Sequence, residues 1–163
     1  MSERVEKLMR EYPQMKTEVK CLENQIRDFR GISETEMIES MLYSHPEGER
    51  VQTSGVSDKT ARIAISYREK MERINKEWYD YLEQKYLLLS EELRFFESAL
   101  ASLSGNLSGV MRDMVIDGLT YDAIASKYFV SRTMVVKYRR RAIVELDKLY
   151  AAHDAEVAAY ILN

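Results

Sequence analysis

Cysteine, proline, glycine and histidine are all scarce here: of 163 residues, one is cysteine, two are proline, six are glycine and two are histidine. A lone Cys21 cannot close an intrachain disulfide, and His45 and His153, with no second ligand at metal spacing, do not make a zinc site. No glycine-rich phosphate loop, nucleophile elbow or His-Glu metal pairing occurs, so neither an enzyme nor a bound metal or cofactor is expected. Strictly apolar runs stay far short of the roughly 20 residues that span a bilayer, and no membrane partner is expected. The opening residues, Met-Ser-Glu-Arg-Val-Glu-Lys, are charged where a signal peptide would be apolar, which implies a cytoplasmic protein.

What is present is helical. Apolar residues make up 45% of the chain and charged residues 31%, too apolar for a disordered polyelectrolyte and too charged for a membrane protein. The first thirty residues keep a seven-residue repeat, with Val5, Tyr12, Val19 and Ile26 in one seam position and Leu8, Met15, Leu22 and Phe29 in the other. Pro13 lacks a backbone donor and pushes Tyr12 from helical angles, so a kink or a restart is expected there. Val56 to Ser104 contains no glycine or proline and reads as one long helix, with Ser57 and Asp58 as its cap. Its stripe is Tyr67, Met71, Ile74, Trp78, Leu82, Tyr86, Leu89, Leu93, Phe96, Leu100 and Leu103. Three successive steps of four from Ile74 to Tyr86 form a stutter. A short helix at Ser33 to Leu42 and a polar loop from Tyr43 to Ser57 would join the two.

The simplest arrangement is all-α: an antiparallel helical hairpin or coiled coil over 1–103, a Ser/Gly linker at 104–109, and a second domain over 110–163. The long helix has more seam than the first can cover, which implies a partner chain and a homodimer through the helical seams.

The second domain concentrates positive charge. From Leu119 to Arg141 six basic residues stand against one acid, Asp122, inside a chain of net charge −3. That is the electrostatic footprint of a nucleic-acid contact. A helix over roughly Leu107 to Asp117 ends at Gly118, and Thr120 then caps a short helix containing Ile124 and Ala125. Ser131 caps the next, which begins Arg132-Thr133-Met134-Val135. Two helices joined this closely make a helix-turn-helix. Ile124, Tyr128, Val130, Val135 and Tyr138 would face inward, and Val135, Tyr138, Ala142, Leu146 and Leu149 would share the buried face of the second helix, spanning 131–149. Arg132, Thr133, Val136, Lys137, Arg140 and Arg141 form the opposite face, the set expected in the major groove of double-stranded DNA. Arg and Lys can reach guanine edges, Thr133 a base edge and Val136 a thymine methyl. Arg139, Arg140 and Arg141, with Lys127, suit phosphates. Leu146, Leu149, Tyr150, His153, Val157, Tyr160 and Ile161 continue an apolar stripe that either lengthens this helix or folds back. His153 reads as a packed or rim residue.

Residues 118 to 143, Gly-Leu-Thr-Tyr-Asp-Ala-Ile-Ala-Ser-Lys-Tyr-Phe-Val-Ser-Arg-Thr-Met-Val-Val-Lys-Tyr-Arg-Arg-Arg-Ala-Ile, resemble the helix-turn-helix of region 4 in the sigma-70 family. The chain as a whole, including residues 49 to 61, is similar to the small sigma-like regulators of Gram-positive prophages, of the ArpU and RinA late-gene type. The resemblance implies promoter-proximal DNA binding, contact with RNA polymerase, and base reading by Arg132, Thr133, Val136 and Lys137. Two departures stand out. Phe129 occupies the turn position that is often glycine, where a left-handed backbone would be strained. No counterpart of the sigma domain that holds the minus 10 element is found. The competing expectations are a small-terminase-like DNA-packaging subunit, which would form rings, and an RNA polymerase adaptor acting through the coiled coil.

Overall fold

A computed structural model describes residues 2–31, 33 and 58–163 of the chain. Among the described residues the fold is all-helical: α1 (Ser2–Arg27), α2 (Asp58–Ala101), α3 (Leu107–Met111) continuing into a π-helical turn (Arg112–Ile116), α4 (Tyr121–Tyr128) and α5 (Arg132–Leu162). Apart from Ser33, the short helix expected at 33–42 and the polar loop at 43–57, with His45, lie outside the described residues, as does most of 49–61. No described helix is long and apolar enough to cross a membrane.

Contacts divide the chain into two compact units, Met1–Lys20 with Leu88–Asn163, and Cys21–Leu87. The segment expected as a linker, 104–109, lies inside the first of these. There, Val5, Leu8, Tyr12 and Met15 from α1 and Leu93, Phe96, Ala99 and Leu100 from α2 enter one buried cluster with Leu107, Met111, Val115, Ala142, Ile143, Leu146 and Tyr150. The C-terminal part of the chain, from Leu107 on, therefore shares its core with the N-terminal helices. Residues 104–109 are also specifically held. Ser104 donates its backbone N–H (3.1 Å) and its hydroxyl (2.6 Å) to the carboxylate of Glu145 on α5. Leu107 is buried. A Cβ at Gly109 would stand 2.7 Å from the Tyr128 hydroxyl oxygen, so glycine is what lets that ring approach.

The heptad reading of α1 holds at Val5, Leu8, Tyr12, Met15 and Leu22, all buried. α1 does not restart at Pro13 but runs through it. Pro13 is exposed, so the carbonyl it deprives of a donor can face water while Tyr12 and Met15 anchor the turn on the other side. The Tyr12 hydroxyl donates to Glu97, and Lys16 lies 2.8 Å from the same carboxylate. Burial pushes the Tyr12 phenol well up, with the Glu97 hydrogen bond adding to it. Burial alone would raise Glu97 too, but the bonds from Lys16 and Tyr12 outweigh it and hold the carboxyl below its usual range.

The α2 stripe needs a correction at Trp78, which is 44% exposed and stacks on Tyr81 with ring centroids 5.6 Å apart. Each step of four overshoots a helical turn by about 40°, so three in succession carry the stripe about 120° round the helix. Within Cys21–Leu87 it is Tyr79 that meets Phe29, edge-on at 5.1 Å, and Leu82 that is buried. The buried face of α5 shifts similarly: Leu149 is exposed, while Ile143 and Tyr150 are buried. Phe95 turns the stripe toward Tyr150, 4.8 Å away edge-on. His153 stands at the rim of this contact, 4.3 Å from the Phe95 ring.

Tyr150 gives a testable pH limit. Its phenol is pushed up to about 12, first by burial and then by Glu92, and its hydroxyl finds no hydrogen-bond partner among the described residues. A tyrosine whose folded pKa lies above its unfolded value of about 10 contributes stability that is present below that pH and lost as the pH climbs toward the folded value. Tyr150→Phe keeps the edge contact with Phe95 and removes the titration. It should leave stability at pH 7 within about 1 kcal/mol of the parent and move the onset of alkaline unfolding upward, read by circular dichroism across the alkaline range.

Candidate nucleic-acid interface

Two caps build the segment that carries the basic residues. Thr120 accepts a hydrogen bond from the Ala123 N–H, starting α4, and Ser131 accepts one from the Met134 N–H, starting α5, each at 3.2 Å. Between them the chain turns at Phe129 and Val130. Phe129 takes the left-handed conformation, φ 54° and ψ 43°, and the Val130 N–H returns to the Ala125 carbonyl at 3.0 Å, closing a Schellman-type end. The turn is thus not remodelled to avoid strain at the non-glycine position. Phe129 is also 95% exposed, so nothing in its packing offsets that strain. Left-handed backbone costs a non-glycine residue about 1–2 kcal/mol, and glycine's extra unfolded entropy about 0.5–1 kcal/mol. Phe129→Gly is therefore expected to stabilise the protein by up to about 1 kcal/mol, a rise of about 2–4 °C in Tm, measurable by calorimetry.

A second cluster holds the two helices at their angle: Val110, Ile124 and Val135 are fully buried, with Tyr121, Ala125, Tyr128, Val130 and Tyr138 packed round them. α3 lies between this cluster and the larger one, giving Val110 to the former and Met111 to the latter. Its continuation into a π turn, closed by the Asp117 N–H on the Arg112 carbonyl at 3.1 Å, adds a residue to the turn. Asp113 sits on that turn with its side chain 6% exposed, accepting bonds from the Lys127 ammonium (3.0 Å) and the Tyr128 hydroxyl (2.8 Å). Burial would raise the Asp113 carboxyl; the bonds from Lys127 and Tyr128 outweigh it and lower it. Gly118, at φ 67°, then ends the segment as expected.

The residues expected at DNA fall into four groups. Thr133, Lys137, Arg140 and Arg141 are exposed and share the outer side of α5, with Val136 half-buried at its edge. Arg132, on the first turn, is exposed and lies 3.8 Å from Asp122, its guanidinium 5.9 Å from the centre of the Tyr121 ring. Arg139 is only half-exposed and lies on the side of the helix that carries Val135 and Ala142, apart from the outer set. Lys127 is spoken for by Asp113, so it ties α4 to the π turn rather than joining the outer set. Asp113 carries no signal in the sequence, because its partners lie 14 and 15 residues further on. Lys148, also exposed, continues the outer side of α5. No protein family, curated protein or solved structure matches this chain.

Proposed function

We propose that this chain is a sequence-specific transcription regulator of the phage or prophage type, which reads promoter DNA in the major groove with the first half of α5. It is not an enzyme in this reading. α4 and α5 act as a sigma region 4-like helix-turn-helix, carried by an antiparallel hairpin of α1 and α2. The observation that carries the reading is the exposure of Arg132, Thr133, Lys137, Arg140 and Arg141 next to a capped helix start. These groups can meet base edges at the start of the helix and phosphates further along. Support for the hairpin comes from within Cys21–Leu87, where Phe29 stands beside Tyr79 and Gly31 beside Asn75, so the chain leaving α1 runs opposite to α2.

The partners in this reading are double-stranded DNA, RNA polymerase and a second copy of the chain. Titration of a labelled random-sequence duplex with the full protein tests the electrostatic part: affinity should fall steeply between 50 and 200 mM salt. No measurable duplex binding at 50 mM salt would overturn the proposal. Light scattering separates the regulator, a monomer or dimer, from a DNA-packaging ring of many subunits.

A further inference from the structure

Past the reading segment, the outer side of α5 carries a shallow, open surface patch formed by Arg140, Arg141, Val144, Glu145 and Lys148. Three cations face one carboxylate there. Arg141 stands four residues before Glu145 and Lys148 three after it, the spacings at which helices form ion pairs. Yet neither makes an ion pair with a described residue. Glu145 instead takes its hydrogen bonds from Ser104, whose hydroxyl and backbone N–H both donate to it; these bonds chiefly hold its carboxyl below the usual range, with a smaller longer-range pull from Arg141 and Lys148. The carboxylate is thereby drawn toward Ser104, at the junction of α2 and α3. The cations stay available to an outside anion.

Position along the helix identifies that anion. Arg141 lies nine residues beyond Arg132 and Lys148 sixteen, distances of about 13 Å and about 24 Å along the axis. The major groove is about 12 Å wide. With the helix start among the bases, these side chains are at or beyond the groove's lip, where only sugar and phosphate are within reach.

Resting on the functional reading above, we propose that Arg140, Arg141 and Lys148 form a clamp for a backbone phosphate of duplex DNA outside the bases that are read, and that Ser104 is a positioning residue that keeps Glu145 from neutralising it. The clamp contributes affinity and register but no base preference. It also links the chain segment after α2 to the strength of DNA binding, through one serine hydroxyl.

The test is the salt dependence of duplex binding by the full chain and four variants. Lys148→Gln should lower the slope of log affinity against log salt by about 0.9, so that its loss of affinity between 50 and 200 mM salt is about 3.5-fold smaller than the parent's. Base preference should be unchanged. Lys7→Gln, exposed on α1, should leave the slope at the parent value. Ser104→Ala should weaken binding by about 1.5- to 5-fold, the range of an exposed charge pair, and Glu145→Gln in the same chain should restore it. A parent that binds duplex while Lys148→Gln keeps the full slope overturns the clamp alone. A Ser104→Ala protein with parental affinity overturns the role of the serine. A parent that binds no duplex overturns the clamp together with the reading on which it rests.

Discussion

Replacing Arg132 or Lys137 by alanine is expected to cost about 1–3 kcal/mol of binding to the preferred duplex, with relaxed preference at the contacted base pair. That is about 5- to 150-fold in affinity. Both side chains are exposed, so each substitution should leave folding stability within about 0.5 kcal/mol of the parent. The Asp122 contact of Arg132, at 3.8 Å between groups that are both well exposed, adds little. Binding to bulk DNA should fall much less, because Arg140 and Arg141 remain to meet phosphates. The specificity ratio therefore collapses while the protein stays folded and still binds. Paired titrations against the preferred and a scrambled duplex, beside a thermal melt, check all three parts.

The second large effect is on the fold. Phe96 is 1% exposed and sits in the cluster that joins α1 and α2 to α3 and α5. Phe96→Ala should destabilise by about 3–5 kcal/mol, a large-to-small change in a core with Tyr12 packed against it at 5.9 Å. Typical domains hold only about 5–15 kcal/mol in all, so the basic segment should melt with the N-terminal helices in a single transition at much lower temperature. For the same reason residues 105–163 alone should not fold cooperatively. Leu107, Met111, Val115, Ala142, Ile143, Leu146 and Tyr150 would lose the α1 and α2 side chains that cover them. Circular dichroism melts of Phe96→Ala and of the 105–163 fragment test this. A fragment that melts sharply at the parent's temperature would contradict it.

Much of this was legible from local chemistry. The α1 seam follows from a seven-residue period, and Thr120 and Ser131 announce their helices because a short hydroxyl side chain satisfies a free N–H at a helix start. The inward set Ile124, Tyr128, Val130, Val135 and Tyr138 follows from helical spacing and enters one cluster. What was not legible depends on contacts between distant segments. Serines and glycines at 104–109 have the composition of a linker, and nothing local shows that Ser104 is held by Glu145 or that Gly109 makes room for Tyr128. A π turn leaves no mark in a 3.6-residue period, so Asp113 gave no sign of the Lys127 and Tyr128 side chains that meet it. Trp78 and Leu149 were assigned inward by step counting, which cannot tell a stripe that stays on one face from one that drifts. Arg139 was grouped with its basic neighbours by charge, though one residue along a helix is a turn of about 100°.

The outer surface of α5 as a reader of duplex sequence is tested most directly by selecting bound duplexes from a random pool with the full chain, at two salt concentrations, and sequencing what is retained. The account predicts a short motif enriched at both salts, with total retention falling steeply at the higher one. A retained pool as diverse as the starting pool would contradict it.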